Sequence, residues 1–200
     1  ALFYKGLTLS TLNREEEALA CYDELLDGDP ADFIALRSKG GVLFTLHRYE
    51  EALACYDKVL KHGNDHIALY GKGLTLSGLK RNEEALACFE EALKMKPKNI
   101  DALLYKGVTL FDLKRNEEAF ACFEESLACT EEVLRVDPKN LKALHGKGTI
   151  LFILRRYEEC LVCLEELFKI DPDRIIQKQI ESVKQKIEDK EMVAKYDEMV

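Results

Sequence analysis

Seven cysteines, four histidines and a recurring pair of glutamates are the residues of this 200-residue chain that could do chemistry. Cys160 and Cys163 spell C-x-x-C near an expected helix start, where a thiol pKa can fall far enough for redox exchange. Yet Cys21, Cys55, Cys88, Cys122 and Cys163 occupy the same place in successive segments. Stacked segments keep such thiols roughly a helix diameter apart (about 10 Å), too far for a disulfide or a shared zinc ion. Copying of one small buried packing residue accounts for them better, and Cys160 also falls at a core position of the pattern. His62 and His66 stand four apart with Gly63-Asn64-Asp65 between them, so they span a turn and supply two metal ligands without a third. Glu16-Glu17, Glu50-Glu51, Glu83-Glu84, Glu117-Glu118 and Glu158-Glu159 recur in every segment. At helix starts such carboxylates complement the dipole and do not form an acid/base pair. No glycine-rich phosphate loop, G-x-S-x-G or H-E-x-x-H occurs. The expectation is therefore no catalytic residue, no metal and no cofactor.

The elements behind these residues are set by five glycines, Gly6, Gly40, Gly73, Gly107 and Gly148, each preceded by lysine and spaced by 34, 33, 34 and 41. Three residues after them come Leu9, Leu43, Leu76, Leu110 and Leu151; twelve after, Ala18, Ala52, Ala85, Ala119 and Cys160; sixteen after, Tyr22, Tyr56, Phe89, Phe123 and Leu164. A fixed period near 34 marks a solenoid of helix pairs, in which each repeat touches only its neighbours. In the third repeat Leu69, Gly73, Leu76 and Leu79 trace a first helix, and Ala85, Leu86, Phe89 and Leu93 a second. Asn82 is expected to cap the second helix. Asp29-Pro30, Asp137-Pro138 and Asp171-Pro172 are expected to start new repeats, with Asp as cap and Pro at the first helical position. The glycine is expected to admit the alanine twelve residues on, while the aromatic fills the space towards the next repeat.

These residues resemble the tetratricopeptide pattern, W-x2-L-G-x2-Y, A-x3-F and P, over residues 1–174. The family's Trp is Leu here, its first Leu is Lys and its Tyr is Leu; Asn64 replaces one proline and Cys160 one alanine. The resemblance implies an all-α, right-handed α-solenoid of five helix-turn-helix units, at about 1–32, 33–65, 66–99, 100–140 and 141–174. Residues 175–200 would follow as a C-terminal capping helix, with Ile176, Ile180, Val183 and Ile187 as its apolar stripe; Met192, Tyr196 and Val200 form a weaker second stripe. The chain opens at Ala1 inside an expected helix, which reads as a piece of a longer array or a processed form.

The resemblance also implies function: a non-catalytic scaffold that binds a protein or peptide partner in the concave groove lined by first helices. The lining offsets are six and three residues before each glycine, and one, four and five after it. Here they select Phe3, Leu7, Arg37, Phe44, Tyr70, Leu74, Leu104, Phe111, His145 and Phe152 as the groove's principal residues, with Ile34, Ile67, Val108, Thr149 and Ile153 beside them. Only Arg37, Asp101, Asp112 and Lys142 are charged among the lining positions, so the groove suits an apolar or amphipathic segment. An alternative has the same stripe packing first helix against first helix. The carboxylate clamp of chaperone-binding members is missing: Phe3 and Leu7, Arg37 and Gly41, Tyr70 and Leu74 stand at its positions, so no chaperone tail is expected. A net charge of −8 disfavours nucleic acid, and no apolar run approaches a membrane span. A cytoplasmic chain, monomeric or weakly homo-oligomeric, is expected; a self-associating structural array and an enzyme regulator are the other function classes left open.

The 41-residue interval holds a local copy: Cys122 to Ala128, CFEESLA, is followed by Cys129 to Arg135, CTEEVLR. Seven residues are nearly two turns, so the apolar face keeps its phase. The spacing predicts one continuous helix from about Asn116 to Val136, longer by about 10 Å, with the fifth repeat displaced. The competing outcome is a break near Thr130, with Thr130 capping a new helix.

Overall fold

The computed structural model describes residues 1–199, with side chains through Ala194. Val200 lies outside the described residues, and so does the side chain of Tyr196. Eleven helices and no strand occur among the described residues. They are α1 (Leu2–Thr11), α2 (Glu15–Gly28), α3 (Phe33–Thr45), α4 (Tyr49–Leu60), α5 (His66–Gly78), α6 (Asn82–Met95), α7 (Ile100–Asp112), α8 (Asn116–Val136), α9 (Leu141–Ile153), α10 (Tyr157–Ile170) and α11 (Arg174–Met199). The chain divides within α8 into two compact parts, 1–119 and 120–200. In the first part α1 packs on α2, α3 on α4 and α5 on α6, and each second helix packs on the next first helix. In the second, α9 packs on α10 and α10 on α11.

The helix starts differ from the sequence expectation in a consistent way. The caps are Asp32, Asp65, Asn99 and Asn140, whose side-chain oxygens accept from backbone N–H groups two or three residues on. Asp173 does the same for Ile175 N–H. Pro30, Pro97, Pro138 and Pro172 therefore stand in the turn before the helix, not at its first position. Asp32 N–H returns to the Asp29 carbonyl at 3.1 Å, closing a turn around Pro30, and proline's fixed φ suits that second turn position. Asn82 is not a cap either. It is the first residue of α6, its Oδ1 is buried without a partner, and Arg81 holds the cap position.

Arg14, Arg48, Arg81, Arg115 and Arg156 all precede a second helix, and each gives two hydrogen bonds to the glutamate three residues on. The second member of every Glu-Glu pair is thus held by an arginine, which draws the Glu17, Glu51, Glu84, Glu118 and Glu159 carboxyls below their usual range. Just before each arginine, Asn13, His47, Lys80, Lys114 and Arg155 adopt positive φ. The arginine N–H then reaches back five residues, as from Arg48 to the Leu43 carbonyl at 2.9 Å, which ends the first helix without glycine.

Core packing explains the glycines. A methyl group on Gly40 would stand 2.9 Å from the Tyr56 ring, and one on Gly73 2.7 Å from the Phe89 ring. The ring sixteen residues on is therefore what the glycine admits. The small residue twelve on packs there too: Ala18, Ala52, Ala85 and Ala119 are fully buried, and Cys160 Sγ donates to the Gly148 carbonyl at 3.2 Å. The lysine before each of the last four glycines joins repeats. Lys39 pairs with Asp23, Lys72 with Asp57 at 2.7 Å, Lys106 with Glu90 at 3.3 Å and Lys147 with Glu131 at 2.9 Å.

α8 is one unbroken helix from Asn116 to Val136, as the spacing predicts. Thr130 caps nothing: it is buried, and its hydroxyl donates to the Ser126 carbonyl at 2.8 Å inside the helix. The copied segment supplies the join to the next repeat, because Glu131, not Glu124, meets Lys147. Glu124 meets Arg156 instead, at 3.6 Å. α11 buries Ile176, Ile180 and Val183, and Lys184 approaches Glu165 at 3.6 Å.

Candidate functional site

In residues 1–119 the first helices lie side by side, α1 on α3, α3 on α5 and α5 on α7. Their shared stripe is open in places and closed in others. Leu7 is 46% exposed, Ile34 54%, Ile67 44% and Phe111 51%, and Val108 is exposed as well. Leu104 is half-buried. Phe3 lies 6.1 Å from the Tyr22 ring and packs on the core. Phe44 also packs on that core, with its ring 5.7 Å from Tyr49. Tyr70 and Leu74 pack against the cluster of Leu76, Ala85 and Phe89. Tyr70 also meets Tyr105 edge-on at 5.9 Å.

Arg37 is committed within the fold. Its guanidinium donates to Asp65 at 2.8 Å, tying α3 to the cap of α5. Burial works to raise the Asp65 carboxyl, but the Ala68 N–H, the Arg37 charge and the Ile67 N–H together hold it below its usual range. Burial pushes the Tyr70 hydroxyl far up, and the Tyr56 hydroxyl up to about 12. The Arg37 charge on the stripe is thus compensated within the fold.

Phe44 differs from Phe111 for a legible reason. Tyr49 stands five residues after it and packs on it at 5.7 Å; Tyr157 meets Phe152 in the same way at 5.6 Å, yet Phe152 stays 39% exposed. Asn116 occupies that place after Phe111, so the ring stays open. Tyr49, five residues after Phe44, is the sequence signal that could have shown this. In residues 120–200, His145 is exposed and its carbonyl accepts from the Thr149 hydroxyl at 3.0 Å. Thr149, Phe152 and Ile153 form one wall of a cavity of about 220 Å³ bounded by α10 and α11.

Cys160 and Cys163 do not have the surroundings of a reactive C-x-x-C. Cys160 and Cys163 are buried, Cys163 Sγ donates to the Leu144 carbonyl at 3.2 Å, and burial pushes both thiols up to about 11. A low-pKa C-x-x-C needs the opposite shift. No cluster of three or more His, Cys, Asp or Glu able to hold a metal occurs among the described residues. No described helix is long and apolar enough to cross a membrane.

Three tetratricopeptide repeat family models match the chain, over residues 32–98, over 70–130, and over 1–32 with 141–174. Solved structures are similar in fold. TTC0263, a thermophilic protein of this repeat class in Thermus thermophilus, has a TM-score of 0.74 at 17% identity, over 91% of this chain and 96% of that one. YrrB, described as having an unusual peptide-binding site, gives 0.55 at 24% identity, over 90% of both chains. MamA from Desulfovibrio magneticus RS-1 gives 0.58 at 20%, over 86% and 94%. A comparison with curated protein sequences gives no significant match.

Proposed function

The chain belongs to the tetratricopeptide repeat family, whose members are protein-interaction scaffolds, and from that premise we propose that it binds an apolar or amphipathic segment of a protein partner on the stripe of its first helices. The observation that carries this reading is the open part of the stripe in residues 1–119. Leu7, Ile34, Ile67, Val108 and Phe111 are exposed on adjacent helices, with few charges among them. Solvated helix faces carry charged residues, so contiguous exposed aliphatic and aromatic side chains mark an interaction surface. The peptide-binding site of YrrB, on the same fold, agrees with this use. Phe3, Phe44, Tyr70, Leu74 and Leu104 support the surface from below, and Arg37 holds its shape through Asp65.

The test is selection of peptides against the chain, followed by point variants. Phe111→Ala removes a ring that is 51% exposed, so helix content and melting temperature should largely hold while peptide affinity falls by about tenfold. Affinity should change little with salt, because few charges line the stripe. Equal loss from Glu50→Ala on α4, or selected peptides that are uniformly charged, would refute the reading. Self-association is the second reading. Tyr4 on α1 and Leu12 just after it are strongly exposed, and a dimer by light scattering that Tyr4→Ser dissolves would favour it.

A further inference from the structure

The register of α11 has a bearing on the cavity beside it. Each first helix from α3 to α9 carries a lysine that meets an acid on the preceding second helix, and Lys184 of α11 repeats this with Glu165. Counted from that lysine as in the repeats, the two groove positions ahead of the glycine site are Gln179 and Ser182. Both line the 220 Å³ cavity, opposite Thr149 and Phe152, which hold groove positions on α9. The cavity is thus formed by groove-position residues of two neighbouring helices, with Cys160 and Leu164 of α10 at its base.

Its polar atoms narrow what it can hold. The Thr149 hydroxyl donates to the His145 carbonyl, and the Cys160 thiol to the Gly148 carbonyl. Gln179 Oε1 is buried and has no donor among the described residues. A buried acceptor without a donor is costly, and a ligand that supplies one removes that cost. No charged side chain lines the cavity, so an ionic group would be desolvated without a partner. An apolar cavity of roughly 150 Å³ accepts a benzene ring, and this one is larger. The occupant must be an uncharged ring carrying one hydrogen-bond donor. We propose that the cavity binds the tyrosine side chain of a peptide lying on the fifth repeat, its hydroxyl donating to Gln179 Oε1. This rests on the peptide-binding reading given above and adds a residue preference to it. A phenylalanine would fill the space and leave the acceptor unpaired; a threonine would pair it and leave most of the space empty.

The experiment titrates the full chain with Ac-Ala-Ala-Tyr-Ala-Ala-NH2, its Phe analogue and p-cresol, read by backbone amide NMR shifts. The tyrosine peptide should shift Thr149, Phe152, Gln179 and Ser182 saturably and bind about tenfold more tightly than the Phe analogue, the worth of one buried hydrogen bond. Gln179→Leu should abolish that preference. Ser182→Trp, at the exposed rim, should block both peptides at unchanged melting temperature and stands in if Gln179→Leu fails to fold. Absence of saturable shifts, or a preference that survives Gln179→Leu, overturns the proposal. So does p-cresol binding as tightly as the tyrosine peptide, which would assign the cavity to a free phenol. Phe111→Ala separates the two readings: it should leave the tyrosine preference intact, so either can fail without the other.

Discussion

One methyl group should have opposite effects at two glycines that share a place in their repeats. Gly71 and Gly146 both stand two residues before the repeat glycine. A Cβ on Gly71 would lie 2.5 Å from Tyr56 Cζ and 2.7 Å from both Cε1 and the hydroxyl oxygen; one on Gly146 meets nothing within 4 Å. Tyr56 is 4% exposed, and a Cβ on Gly40 would also stand only 2.9 Å from its ring, so the ring has little room to retreat. Overpacking of this kind costs about 1–3 kcal/mol, and the absence of slack points to about 3. Replacing a mid-helix glycine by alanine returns about 1 kcal/mol in helix propensity. Gly71→Ala should therefore destabilise by about 2 kcal/mol, while Gly146→Ala keeps only the gain of about 1 kcal/mol. For a chain of this length that is a fall of roughly 4–8 °C against a rise of roughly 2–4 °C in the apparent midpoint of far-UV circular dichroism melts. Tyr56→Phe should rescue Gly71→Ala poorly, because Cζ itself makes the shortest contact. A Gly71→Ala chain that melts at or above the native midpoint would refute the argument.

Stability should decline as pH rises above about 9. Cys160 and Cys163 ionise near 11 and Tyr56 near 12 in the folded chain, whereas the unfolded chain loses those protons earlier, so the unfolded state binds fewer protons and gains with rising pH. Urea midpoints between pH 8 and pH 11 check this; a flat profile contradicts it. At pH 8 the native chain should react with a thiol reagent far more slowly at these two residues than the unfolded chain, and equal rates would reject the buried-thiol account. Ile180→Asp, or truncation after Asp173, should uncover the apolar side of α10 that α11 covers and give dimers or aggregates by light scattering; a monomer of native stability would show that α11 is not a cap.

Much of the fold was legible because helix pairs repeat. Leu69, Gly73 and Leu76 announced a first helix, and all three are buried in α5. The unbroken α8 followed from a spacing that preserves helical phase. The turns were harder. Pattern reasoning expects glycine at a left-handed helix end, and Lys80 or Lys114 gives no such sign. Asn82 looked like a cap, but the Arg81–Glu84 pair fixes the helix start through side-chain charge and not through a backbone bond. At the candidate site, the offsets located the stripe but not which members are covered. That depends on contacts distant in sequence, such as Arg37 with Asp65, or on the neighbouring turn, such as Tyr49 over Phe44. Gln179 was out of reach because α11 lacks the glycine that marks the other first helices.

The duplicated stretch of α8 has a further implication for how such chains diversify. Glu131 does for Lys147 what Asp57 does for Lys72, although it stands seven residues later in its repeat. The docking contact thus travels with a seven-residue word and is not tied to its distance from the repeat glycine. Thr130 falls in that word where the first copy has Phe123, a short side chain in place of a ring. An in-frame slip of seven codons can therefore lengthen a strut by nearly two turns while carrying the next attachment point to the new end. Repeat arrays of this kind can change their reach by copying a phrase inside a helix, without adding or losing a repeat.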